Sequence, residues 1–182
     1  MTTELMALET DVASILDMGT ETGLLTYYIY QKYQNAKYTL IDLSSEMLKV
    51  AKERFSDLNN FEFIEEDYIN YVYKKDYDAV VSALSIHHLS DEDKQTVYNK
   101  AYSILKSGGI FINSDQVLGS LDEAESINRK NWVKRIEESP LNLQEKQSAY
   151  SRMELDKMAT FYGKISLLPK YRRSKLILEF AL

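Results

Sequence analysis

Five short apolar runs recur along this chain, four of them giving way to segments with helical spacing, and that alternation limits the fold more than any other feature. The first run, Ser14–Met18, stops at Gly19, and residues 24–33 follow with a helical pattern. Lys37–Asp42 is a second strand, ended by Ser44-Ser45. Either serine can cap a helix over residues 46–55, where Met47, Leu48, Ala51 and Phe55 recur at helical spacing. Asn59-Asn60 turns the chain into a third strand, Phe61–Glu65. Residues 77–84 form a fourth, whose unbroken apolar centre suits a strand covered on both faces. Ser90 is a good N-cap, with Glu92 and Asp93 in the first turn of a helix reaching Leu105. Gly108-Gly109 ends that helix and opens a fifth strand over residues 110–114. Helices are expected over 121–138, closed by Pro140, and over 142–159. Residues 164–168 and 174–182 read as a hairpin of two strands about Pro169-Lys170. The whole predicts one domain over residues 1–182. It is a doubly wound, mostly parallel seven-stranded sheet with helices on both faces and an antiparallel C-terminal edge.

Bulk properties remove several function classes. A length of 182 residues with 45% hydrophobic residues suits one domain with a proper core. The absence of cysteine excludes disulfides and thiolate metal sites, and two histidines without a carboxylate cluster make a poor metal centre, so no metal is expected. A net charge of -6 provides no broad positive field for a phosphate backbone, which leaves tRNA possible as a partner but disfavours it. The first dozen residues carry Glu4, Glu9 and Asp11 and no basic cluster, unlike a secretory leader. No apolar run approaches the ~20 residues of a membrane span. A cytoplasmic location without membrane attachment is the expectation, and oligomeric state is left open.

In an open α/β sheet, ligands bind beyond the carboxyl ends of the strands, where strand order reverses. Four features fall at such ends: Asp17 to Gly23, Asp42, Asp67, and Ser85-Ile86-His87-His88. Gly19 and Gly23 allow a tight turn and a close approach of a ligand to the backbone. Asp42, 23 residues past Gly19, stands where an acid can accept bonds from both hydroxyls of a ribose. Asp67 stands where it can take a proton from a purine amino group. Each feature has a plainer explanation: a turn that binds nothing, an aspartate that only caps, two histidines that only open a loop. Their occurrence in order, at the ends of successive strands, is what favours a binding site.

The stretches Ile15-Leu16-Asp17-Met18-Gly19 through Gly23, Tyr38 to Asp42, Met47-Leu48, Glu66-Asp67-Tyr68, Tyr77-Asp78-Ala79-Val80-Val81 and Leu105 to Gly109 stand in this order along the chain. As a set they resemble the small class I S-adenosylmethionine-dependent methyltransferases of bacteria. The run Val81 to Leu89 is similar to a subgroup associated with modified wobble uridine in tRNA. The resemblance covers about residues 13–159 and implies a Rossmann-like fold with S-adenosylmethionine as cofactor. It further implies that the first motif, with Asp17, Gly19, Thr20 and Gly23, holds the methionyl part, and that Asp42 takes the ribose. Met47 packs near the adenine, Asp67 takes the adenine amino group, and Ala83 and Leu84 line the methionine end. Leu43 and Tyr68 complete the implied cofactor-binding set. The chain departs from the pattern at the middle of the glycine turn, which is Glu21, and in the tail after Thr160, which has an unfamiliar basic turn.

Three functions follow. The first is methyl transfer to a small molecule or nucleoside, in which alignment supplies most of the rate. If the acceptor is protonated, His88 is the candidate general base, with His87 behind it. The second is a non-catalytic relative with a degenerate cofactor site, suggested by Glu21 and the tail. The third is an NAD-dependent oxidoreductase, which shares the glycine turn and the acid after the second strand.

Overall fold

The structure, a computed structural model, describes residues 13–73, 76–115, 122–159 and 175–180. Its elements are β1 (Ser14–Met18), α1 (Leu24–Tyr30), β2 (Lys37–Asp42), α2 (Ser45–Arg54), β3 (Phe61–Glu65), β4 (Tyr77–Ala83), α3 (Asp91–Ser103), β5 (Leu105–Asp115), α4 (Asp122–Glu138), α5 (Leu143–Ala159) and β6 (Lys175–Phe180). The sheet runs β3-β2-β1-β4-β5-β6, with every neighbouring pair parallel. From β1 the chain winds outward through β2 to β3, then returns to lay β4 on the other side of β1. The reversal of strand order therefore falls between β1 and β4.

Alternation within the strands builds a core on each face. Ile15, Leu40, Val81 and Ile112 pack with Leu25 and Ile29 of α1 and Ala51 of α2. Their neighbours Leu16, Ile41, Val80 and Phe111 point the other way, onto Val97 and Ala101 of α3. A period of two in a doubly covered strand needs apolar residues at both phases, which is why these segments are continuous apolar runs. Ser44 caps α2 by accepting the N–H of Met47, and Ser90 caps α3 by accepting that of Asp93. Helix α1 stops at Tyr30, short of the expected 33, where Lys32 and Tyr33 both donate to Ile29 O and tighten the chain into a turn.

Two expectations are corrected. Strand β5 begins at Leu105 rather than after Gly108-Gly109, because Leu105 already pairs with Tyr77 ahead of a register shift. The final strand is not antiparallel: β6 pairs parallel with β5, from Ile110↔Lys175 to Asp115↔Phe180. A hairpin turn imposes antiparallel pairing, whereas parallel pairing needs a crossover of a dozen or more residues, and α4 and α5 lie in the connection here. Six strands make up the sheet among the described residues. The expected strand over 164–168 lies outside them.

Candidate cofactor site

The carboxyl ends of β1 and β4 meet at the reversal point and are stitched together there. Ser82 Oγ donates to Met18 O at 2.8 Å. Gly19, at φ 67°, brings its Cα so close to the β4 turn that a Cβ would lie 1.9 Å from Ser85 Oγ and 3.2 Å from Tyr68 Cε1. A Cβ on Gly23, at φ 73°, would lie 2.8 Å from Phe55 Cε2. Both glycines are thus required by close packing, not only by a ligand's approach as their spacing suggested. Gly19 N and Thr20 N both donate to Ile41 O, and Arg54 Nε donates to Thr22 O at 2.9 Å, which pins the turn from two sides.

Asp42 ends β2 and faces this turn. Its Oδ2 accepts the backbone N–H of Glu21 and its Oδ1 that of Ser44, each at 2.8 Å. Each oxygen keeps a lone pair, so an oriented carboxylate can still accept from two further donors. Beside it the side chains of Leu43 and Met47 stand 72% and 42% exposed, large apolar groups at the mouth of the crevice. Asp67 follows β3 and organises its own turn, accepting from Ile69 N at 2.8 Å and Asn70 Nδ2 at 2.7 Å. Tyr68 is buried next to it and shares a hydrogen bond with Ser85 Oγ at 3.1 Å; burial pushes its phenol up to about 12.

Asp17 lies buried beneath the turn. Its Oδ2 accepts from Thr26 at 2.6 Å and Thr20 at 2.9 Å, while Oδ1 has no partner. Burial raises its carboxyl from 3.8 to about 6, partly countered by the two threonine bonds and reinforced by the charges of Asp42 and Glu21. Two residues other than glycine hold positive φ among the described residues: Glu21 at 49° and Leu84 at 53°, one on each side of the crevice. Backbone outliers of this kind gather at functional sites. The Glu21 carboxyl is pushed up by burial and by Asp42, and pulled down by His87. The end of β2 and the loop after β4 thus flank the turn that carries Glu21, through Asp42 on one side and Ser85 against Gly19 on the other.

Beyond Ala83 and Leu84 the chain makes a single 3₁₀ turn, Ile86–His88, anchored by the buried Ile86. That turn separates the two histidines. His87 is buried, its Nδ1 2.6 Å from Asp115 Oδ1, and His88 is exposed with its ring 3.9 Å from that of His87. Asp115 ends β5 and was not among the sequence candidates. The same logic that singled out Asp17, Asp42 and Asp67, an acid closing an apolar strand, would have found it. Its Oδ2 accepts from Asn113 Nδ2 at 3.1 Å.

Comparison with known proteins agrees with this geometry. A family model described as a methyltransferase domain matches residues 15–109. Malonyl-[acyl-carrier protein] O-methyltransferase 1 of Ilyobacter polytropus is 35% identical over 96 residues, covering 53% of this chain and 35% of that protein. An uncharacterized methyltransferase of Bacillus mycoides is 26% identical over 157 residues, or 85% of this chain and 65% of its relative. The chain thus spans between about a third and two thirds of the length of these relatives. Among solved structures, the N-methyltransferase NodS of Bradyrhizobium japonicum with S-adenosyl-L-homocysteine superposes with a TM-score of 0.52 at 20% identity, covering 58% of this chain and 55% of that one. The amino pentose methyltransferase CalS10 of Micromonospora echinaspora, bound to S-adenosylmethionine, gives 0.55 at 19% identity, with 63% and 48% covered. The fold is that of these Rossmann-like enzymes, and with its family model spanning more than half of the 182 residues, the chain belongs to the methyltransferase-domain family.

Proposed function

We propose that the chain binds S-adenosylmethionine in the crevice between the β1 and β4 ends and transfers its methyl group to a small-molecule acceptor. The Asp42 carboxylate carries this reading. Two backbone N–H groups fix it at the end of β2 and leave two lone pairs for a vicinal diol. Leu43 and Met47 supply exposed apolar surface for an adenine, with Asp67 and Tyr68 beyond them. Asp17, Gly19, Thr20 and Gly23 form the wall for the methionyl end, with Ala83 and Leu84 opposite. When bound, the cofactor supplies a methyl group on a positively charged sulfur; the protein's part is to orient and to exclude water. The acceptor reading favours a small molecule over tRNA because the net charge is -6. No helix among the described residues is long and apolar enough to cross a membrane, in keeping with a cytoplasmic acceptor.

The family assignment sets the nicotinamide alternative aside. The reading in which the site has decayed rests on Glu21 and on the tail, of which residues 160–174 lie outside the described ones; Glu21 keeps a strained backbone that Asp42 holds in place, and Leu84 is strained opposite it. Strain persists where its surroundings maintain it, which supports a working site. Titration calorimetry of the purified protein with S-adenosylmethionine, S-adenosylhomocysteine and NAD tests the proposal. Binding of either sulfur nucleoside is expected; binding of NAD alone would overturn it.

A further inference from the structure

The pair formed by His87 and Asp115 plays no part in cofactor binding as described, and its geometry is specific. Asp115 is 5% exposed and spends both oxygens on protein, Oδ1 on His87 and Oδ2 on Asn113. A carboxylate so placed cannot reach a ligand. It needs a donor, and among the described residues its ion-pair partner is the imidazole. With Asp115 accepting from Nδ1–H, the neutral ring has its lone pair on Nε2. The buried side-chain nitrogens and oxygens that lack a partner and are sealed from solvent, among the described residues, are Asp17 Oδ1 and Asn113 Oδ1. His87 Nε2 is not one of these sealed atoms, and the 3₁₀ turn that carries the ring follows Ser85, which packs against Gly19 at the reversal point. The Glu21 carboxyl responds to the charge of both His87 and Asp115, which puts the imidazole on the same crevice as the glycine turn.

We propose that His87 Nε2 is the general base of the transfer, that Asp115 positions it, and that the acceptor is a hydroxyl or an ammonium, which must lose a proton, rather than a carboxylate. This rests on the methyl-transfer reading above. In the balanced step the acceptor oxygen or nitrogen forms a bond to the methyl carbon. The sulfur–methyl bond breaks with its electron pair left on sulfur, and the acceptor's proton passes to His87 Nε2. The imidazolium so formed is stabilised by Asp115 and returns its proton to water. A carboxylate acceptor is already ionised at neutral pH and has no use for such a base. The sequence alone favoured His88, which is exposed, whereas His87 is buried against Asp115.

Three measurements decide the matter. The chain has two histidines, so ¹⁵N spectra of the free protein resolve both, with a His88→Gln variant assigning the pair. Neutral His87 should be the Nδ1–H tautomer, and Asp115→Leu should return it to the Nε2–H form favoured in water; an Nε2–H tautomer in the native protein overturns the proposal. His87→Asn keeps a donor toward Asp115 and removes Nε2. Its affinity for S-adenosylhomocysteine should stay within about twofold of native, whereas transfer to a phenol, alcohol or amine probe should fall ~100-fold or more. Native rates in that variant, transfer confined to a malonyl thioester, or no transfer to any hydroxyl or amine probe would each overturn it. Loss of S-adenosylhomocysteine binding by the native protein is a separate result, which refutes the parent reading instead.

Discussion

Asp42 Oδ2 accepts the backbone N–H of Glu21 at 2.8 Å, so the acid that ends β2 holds the turn that follows β1. The bond uses the backbone of Glu21 and not its side chain. A glycine at this position would keep the bond and shed the strain of φ 49°.

Glu21→Gly should therefore stabilise the protein by about 1 kcal/mol, a rise in melting temperature of roughly 2–4 °C for a chain of this size. Glu21→Gln retains the strain and separates it from the effect of charge. Urea unfolding of both variants checks this, and a glycine variant no more stable than the glutamine one would refute it.

The same bond distinguishes two aspartates that look equivalent in the sequence. Asp42→Ala removes the anchor of the glycine turn as well as the two acceptors proposed for a ribose, whereas Asp67→Ala disturbs a turn of its own making, through Ile69 N and Asn70. A charge-assisted bond is worth ~1.5–3 kcal/mol, so the loss of S-adenosylhomocysteine affinity should be at least about tenfold greater for Asp42→Ala. Calorimetry on both variants, each shown to be folded, makes the comparison; equal losses would contradict it.

The bounds of β1 and β2 were legible because pairs such as Ile15-Leu16 and Leu40-Ile41 need apolar cover on both faces, which only an interior parallel strand provides. The direction of β6 was not, because the strand pattern of 175–180 is the same whichever way the chain enters; the path through α4 and α5 decides it. In the site, Asp17, Asp42, Asp67 and the histidines were legible as strand-end residues. Their partners were not. That Asp42 binds Glu21 N, and that His87 rather than His88 meets Asp115 28 residues later, depends on which strands lie side by side and on one 3₁₀ turn.

Gly19 and Gly108 allow strain and steric clash to be told apart. Both have positive φ, 67° and 85°, but a Cβ on Gly108 meets nothing within 4 Å, while one on Gly19 would strike Ser85. Gly108→Ala should lose only the ~1 kcal/mol of backbone strain. Gly19→Ala should lose about 2 kcal/mol more, because the β1 and β4 turns must part. Since Ser85 Cβ itself would be 2.5 Å away, adding Ser85→Ala should not restore stability. Denaturant midpoints of the three variants measure this, and equal losses for the two glycines would refute it.

Asp17 should leave its mark on the pH dependence of stability. Its carboxyl titrates near 3.8 when unfolded and about 6 when folded, chiefly because burial disfavours the charged form. Between those values the folded protein binds more protons than the unfolded chain, so stability falls as pH rises. The contribution is fully present below 3.8 and gone above about 6. At 1.36 kcal/mol per unit the loss is on the order of 3 kcal/mol. Other carboxylates slope the opposite way over this range, so the isolated quantity is a difference between native protein and Asp17→Asn. Asparagine can still accept from Thr20 and Thr26 through one oxygen and carries no charge to bury. Stability of the variant relative to native should therefore climb from pH 4 to pH 6.5 and then level off. Chemical unfolding of both proteins at half-unit intervals reads that difference directly. A difference that stays flat across the interval would mean that Asp17 is held as a carboxylate in the folded protein and that its two threonine bonds outweigh its burial.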